Sequence, residues 1–247
     1  MTIELCQSLG YIIQQRPYKN TSVLLDMLTR DHGKICCVAS GGRANLTRWQ
    51  GVLQPFSLLQ LTWQKRVGLG TLKEVSSCER QLLWRGLPFV MAMYLNELTI
   101  HLLPQGQGDE AFFFIYRQLL GVLSRTHSVK AKVELELESQ LRRFEYQLLK
   151  TIGYELVLEQ DVKGRAVLAQ QNYWLRVEHL PEHWPVNRPA SIGLVCQGAS
   201  LLALKAGKFD TELEKMDAKR IMRMYLQFYL HNRTLKSREL FKQFKGV

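Results

Sequence analysis

GYIIQQRPYKNTSVLLDMLTRDHGKICCVA, residues 10–39, alternates apolar runs with the turn signals Arg16-Pro17 and Asp31-His32-Gly33. Short stretches rich in Ile, Val, Leu and Tyr, cut by Gly, Pro and Asp, read as β-strands joined by tight turns. Strands are therefore predicted at Gly10–Gln15, Ser22–Thr29 and Lys34–Ala39. Leu53–Gln60 and Val67–Glu74 repeat the pattern beyond a loop at 40–50, which makes five strands in about 75 residues. That number suits a small barrel, the five-stranded OB-fold, whose face commonly holds single-stranded nucleic acid with basic and aromatic side chains.

After Ser76 the apolar period changes from two to 3.6 and helices follow. Ser76–Arg85 reads as a short helix, Pro88 opens a second through FVMAMYLNELTIHLL, and Asp109 caps EAFFFIYRQLLGVLSR. Leu137, Leu141, Phe144, Leu148 and Ile152 form an apolar stripe, with Glu134, Glu136 and Glu138 near its start and Gly153 to stop it. Asp161–Leu194, with Tyr173, Trp174 and Trp184 among prolines, reads as a loop-rich excursion or small hairpin. Helices return at Ser200–Ala206, Asp217–His231 and SRELFKQF, residues 237–244. The expected class is α+β: an OB-fold barrel over 1–75, then a helical domain over 76–247 with an irregular insertion at about 161–195.

Charge is placed rather than spread. From His32 to Lys73 there is no acid, while Lys34, Arg43, Arg48, Lys65, Arg66 and Lys73 are all cationic. From Ala218 to the end, eight Lys and Arg face the single acid Glu239. The two segments together carry more than the whole chain's net +11, so the remainder is slightly acidic. A pI near 9.5 with cations gathered in two stretches fits a nucleic-acid binder, where Lys and Arg displace counterions from phosphates. In this reading Arg43 and Arg48 meet phosphates, and Trp49 either stacks a base or packs in the core.

Other chemistries find little support. Gly41-Gly42-Arg43-Ala44-Asn45 lacks the Lys-Ser/Thr pair of a phosphate-binding loop. No serine has a nucleophile-elbow setting and no acid cluster has metal-ligand spacing, so no catalytic residue is expected. Cys6, Cys36, Cys37, Cys78 and Cys196 include no C-x-x-C pair, and Pro181 lies between His179 and His183, so neither a metal nor a cofactor is expected. The N-terminus has no signal-peptide pattern, and no apolar run is long enough to span a membrane, which predicts a soluble cytoplasmic protein without membrane association.

The ordered series GYIIQQRPYKNTSVLLDMLTRDHGKI, GVLQPF, MYLNEL, LRRFEYQLLKTIGYEL and LKSRELFKQF resembles the bacterial RecO family of recombination mediators and DNA repair proteins. The resemblance spans nearly the whole chain and implies an amino-terminal OB-fold with a helical domain. It also implies non-enzymatic work in DNA repair and recombination: binding single- and double-stranded DNA, annealing complementary strands, and helping RecA onto DNA coated by single-strand-binding protein, with RecR as partner. Such a protein is cytoplasmic in bacteria and nucleoid-associated during repair. The acidic, hydrophobic carboxyl tail of single-strand-binding protein is implied as a ligand of the helical domain, where LRRFE places Arg142 and Arg143. Some relatives hold zinc through four cysteines that this chain lacks. A different class of reading is an adaptor whose basic faces meet only acidic protein tails, without DNA.

Overall fold

A computed structural model of the chain describes residues 4–40, 49, 51–66, 68–79, 85–125, 131–185 and 193–245, apart from the side chains of 131–136, 242 and 244–245. The chain forms two compact units, Met1–His127 with Leu235–Val247, and Ser128–Thr234.

The first unit is built on a closed barrel. Strands β1 (Leu5–Tyr18), β2 (Ser22–Thr29), β3 (Gly33–Ala39), β4 (Leu59–Gln64) and β5 (Gly70–Ser77) close in the order β1-β2-β3-β5-β4. All pairs are antiparallel except β3 with β5. Alternation sends Ile12, Leu25, Met27, Cys37, Leu59 and Leu61 into the barrel core. β1 is long enough to serve two neighbours, and at Gly10 it faces Thr29 of β2 and Leu59 of β4 at once. A Cβ at this crossing would stand 2.6 Å from Leu61 Cδ1 and 3.0 Å from the Leu28 carbonyl oxygen, so a side chain there would force Leu61 to shift.

Three sequence expectations shift here. The fourth strand begins at Leu59 rather than Leu53, because Pro55 has no N–H to donate and Phe56 sits at φ 64°. Leu53 still packs on the barrel core, which explains its strand-like apolar signal. The fifth strand runs Gly70–Ser77 instead of Val67–Glu74, so Ser76 and Ser77 of the expected helix Ser76–Arg85 are strand. Residues 80–84 of that expected helix lie outside the described residues.

Helices α1 (Gly86–Leu102) and α2 (Glu110–Arg125) pack in the same unit. Asp109 caps α2 as predicted, accepting from the Phe112 N–H at 2.6 Å. Buried Asn96 of α1 donates to the Ile13 carbonyl at 3.0 Å and accepts from the Tyr116 hydroxyl, while the Tyr11 ring meets Phe113 and Tyr116 at 5.6 and 5.2 Å. These contacts fix both helices to β1. A last helix, here called α6 (Lys236–Lys245), returns to α1. The Glu97 carboxylate accepts from the Lys236 and Ser237 N–H groups at 2.8 and 2.9 Å, supplying an anion to that helix's amino end.

The second unit starts with α3 (Ala131–Thr151), whose stripe buries Leu137, Phe144 and Leu148. Its end is a Schellman turn in which the Tyr154 N–H donates to Leu149 and the Gly153 N–H to Lys150. The excursion contains a three-stranded sheet of β6 (Asn172–Leu175), β7 (Glu182–His183) and β8 (Leu194–Gln197) in the order β7-β6-β8. α4 (Gly198–Ala206) and α5 (Glu212–Tyr229) complete the unit.

Candidate nucleic-acid interface

Register decides which barrel loops share an end. Pro17 of β1 faces Val23 of β2, and Val23 faces Ala39 of β3, so the β1–β2 turn and the exit of β3 lie together. Cys37 faces Gly70, and Gln64 faces Thr71, which brings the β4–β5 loop to the same end. Three connections thus converge: Lys19–Thr21, the segment that leaves from Ser40, and residues 65–69. In barrels of this kind the β1–β2 and β4–β5 loops are the ones that hold oligonucleotides.

The described cations at this end are Arg16, Lys19, Lys65 and Arg66. Lys19 is exposed in the turn, with its Nζ 5.5 Å from the Tyr18 ring centroid. Lys65 retains 57% of its side chain exposed beside Glu4 at 3.3 Å. Arg66 is exposed and makes no ion pair with any described residue. Arg16 is drawn toward the half-exposed rim by Asp26 at 2.8 Å. Lys73 lies half-buried on β5, next to the bulge where Thr62 faces Glu74 and Trp63 faces Leu72.

Two of the residues expected at the interface, Lys34 and Trp49, are largely buried. Lys34 is 8% exposed, and its ammonium donates to the Ile100 carbonyl at 2.9 Å. It satisfies a carbonyl in the last turn of α1, and burial lowers its pKa. Trp49 is 5% exposed within the barrel core, and its indole N–H donates to the Ser40 carbonyl at 3.1 Å. Its ring thus packs with the barrel core next to Ser40. Arg43 and Arg48 lie outside the described residues.

Lys19 was invisible to the charge argument because Asp26 and Asp31 interrupt the acid-free run on its carboxyl side. The signal that finds it is topological: a cation in the first hairpin turn of a five-stranded barrel.

In the second unit, adjacent Arg142 and Arg143 diverge. Arg142 Nη1 lies 2.9 Å from Glu145 Oε2, with 13% and 1% of the two side chains exposed. The approach is an ion pair without hydrogen-bond alignment at that oxygen. Arg143 is exposed, makes no ion pair among the described residues, and runs its stem along Gly207 at the end of α4. Exposed Lys208 follows directly.

Burial pushes the thiols of Cys36, Cys37 and Cys196 up to about 12, far from the thiolate a nucleophile needs. Among the described residues no three His, Cys, Asp or Glu side chains gather as metal ligands, and no helix is long and apolar enough to cross a membrane.

Two family models match the chain: Recombination protein O N terminal over residues 1–80, and Recombination protein O C terminal over residues 89–239. The chain is 33% identical over 234 residues to a DNA repair protein RecO of Alkalilimnicola ehrlichii, covering 95% of this chain and 90% of that one. It is 34% identical over 234 residues to a DNA repair protein RecO of Methylococcus capsulatus, covering 94% and 91%. A Coxiella burnetii DNA repair protein RecO is 32% identical over 241 residues, covering 97% and 99%.

Proposed function

The chain belongs to the RecO family of DNA repair proteins, and from that premise we propose that it binds and anneals single-stranded DNA as a non-enzymatic recombination mediator. The observation that carries the proposal is the convergence of three barrel loops at one end, where Lys19, Lys65 and Arg66 are exposed. Guanidinium and ammonium groups there meet phosphates from any sequence, because a phosphate contact carries no base information. Arg43 and Arg48, on the segment between Ser40 and Trp49, add two cations to this interface in the same reading, and Lys73 adds one at its edge. Duplex DNA offers the same phosphates and is a second substrate.

The wider role rests on family membership. The chain helps load RecA onto DNA coated by single-strand-binding protein, together with RecR. In this reading it takes the acidic tail of single-strand-binding protein at Arg143, the exposed member of the Arg142–Arg143 pair, since a guanidinium fork suits a carboxylate.

The test is a titration of fluorescent single-stranded DNA over a range of salt. Lys19→Ala with Arg66→Ala is expected to weaken binding on every sequence and to lower the salt slope by roughly 0.7 for each lost phosphate contact. A folded double variant with unchanged affinity and slope overturns the assignment of this barrel end. Native protein that binds acidic peptides but no oligonucleotide makes it an adaptor instead.

A further inference from the structure

Arg220 and Arg223 stand on α5 in the second unit and border an open groove of about 640 Å3, with Val177, Met224 and Phe228 as its apolar lining. No acid lines it. Arg220 Nη1 is held 3.1 Å from Asp217, whose buried carboxylate also accepts from Ser200 Oγ at 2.8 Å, yet 54% of the Arg220 side chain stays exposed. That guanidinium is therefore positioned before any ligand arrives. Arg223, three residues on, is exposed and has no ion pair among the described residues. Arg220, Arg223 and Gln227 follow the spacing of one helical face and span about 10 Å along the axis.

Beside this polar line stands a group of rings. Tyr154 stacks on Tyr229 at 4.0 Å, and Phe228 meets Tyr229 edge-on at 5.2 Å while remaining 48% exposed. Phe228 thus presents an exposed ring in the lining of the groove. Positioned cations next to an exposed, braced aromatic ring are the two parts a single strand uses: charge for the backbone and a π-face for a base. A peptide anchor gains most from a closed, fully desolvated pocket, whereas this groove is open along its length.

We propose that the α5 groove is a second single-strand nucleic-acid contact, formed by residues of the second unit, with Arg220 and Arg223 on phosphates and Phe228 under a base. The inference extends the DNA-binding reading, so its test must let the two fail separately. Full-length protein is titrated with a labelled deoxythymidine oligonucleotide of about eight nucleotides, within the range one small binding surface covers. The native chain is expected to bind two such oligonucleotides. The Arg223→Ala/Phe228→Ala variant should bind one, lose roughly tenfold in affinity for a long single strand, and regain most of it when position 223 carries Lys rather than Ala. The Lys19→Ala/Arg66→Ala variant should also bind one. A native stoichiometry of one, with the α5 variant unchanged in affinity, overturns the proposal. So does an α5 variant that loses only the binding of an acidic peptide. Should the α5 variant drop to one while the barrel variant keeps two, the barrel assignment fails and the α5 contact stands.

Discussion

Glu145 is 0% exposed on the packing face of α3, and a carboxylate there is tolerable only with a counter-ion at hand. Arg142, at 2.9 Å, is that counter-ion. Removing it takes one charged partner from this buried side chain, so Arg142→Ala is expected to cost about 1 to 3 kcal/mol of stability, read as a lower urea midpoint. Arg143→Ala touches no such pair. It should leave the midpoint unchanged and weaken binding of the tail peptide of single-strand-binding protein by about 1.5 to 3 kcal/mol. If Arg143→Ala binds the peptide as the native protein does, the tail site is elsewhere. Burial also bears on Lys34 and Trp49: charge marked Lys34 as a DNA contact and residue type left Trp49 between a base and the core, and only the Lys34 bond to α1 and the packing of the indole in the barrel core reveal where each side chain goes.

The α5 helix illustrates how an element's start is written in a few atoms. The expected helix at Asp217–His231 in fact begins at Glu212, because Thr211 Oγ1 accepts from the Glu214 N–H at 3.2 Å and the Glu214 carboxylate accepts from the Thr211 N–H at 2.9 Å. Thr211→Ala should lower stability by about 1 kcal/mol, seen as earlier hydrogen exchange in the first turn of α5; unchanged exchange there would show that the box contributes nothing. The T-x-x-E pattern was present in the sequence, but the apolar stripe begins later and drew the boundary toward itself. Elements whose stripe and caps agree, such as α2 behind Asp109 and α3 before Gly153, were legible. The fourth strand was not, because Leu53 and Val52 are apolar for packing under the barrel and not for pairing within it. At the site, charge placement was legible, but which loops meet was not: that follows from the parallel β3–β5 closure, a long-range pairing without local signature.

At the scale of the whole chain, the first unit is interrupted in sequence by the second. Helix α6 closes it, with Glu97 at its amino end and Arg238 5.9 Å from the Tyr94 ring. A chain cut after Thr234 is therefore expected to lose stability in the barrel unit alone. Hydrogen exchange should quicken through α1 and β1 while α3 and α5 keep their protection; equal loss in both units would contradict this division. Synthesis on the ribosome runs the other way from that closure. Strands and early helices emerge first, the second unit is completed next, and only then does the segment after Thr234 leave the exit tunnel. Until that moment the α1 surface around Tyr94 and Glu97 waits uncovered, so the window in which a nascent chain needs protection from aggregation lasts as long as the whole second unit takes to make.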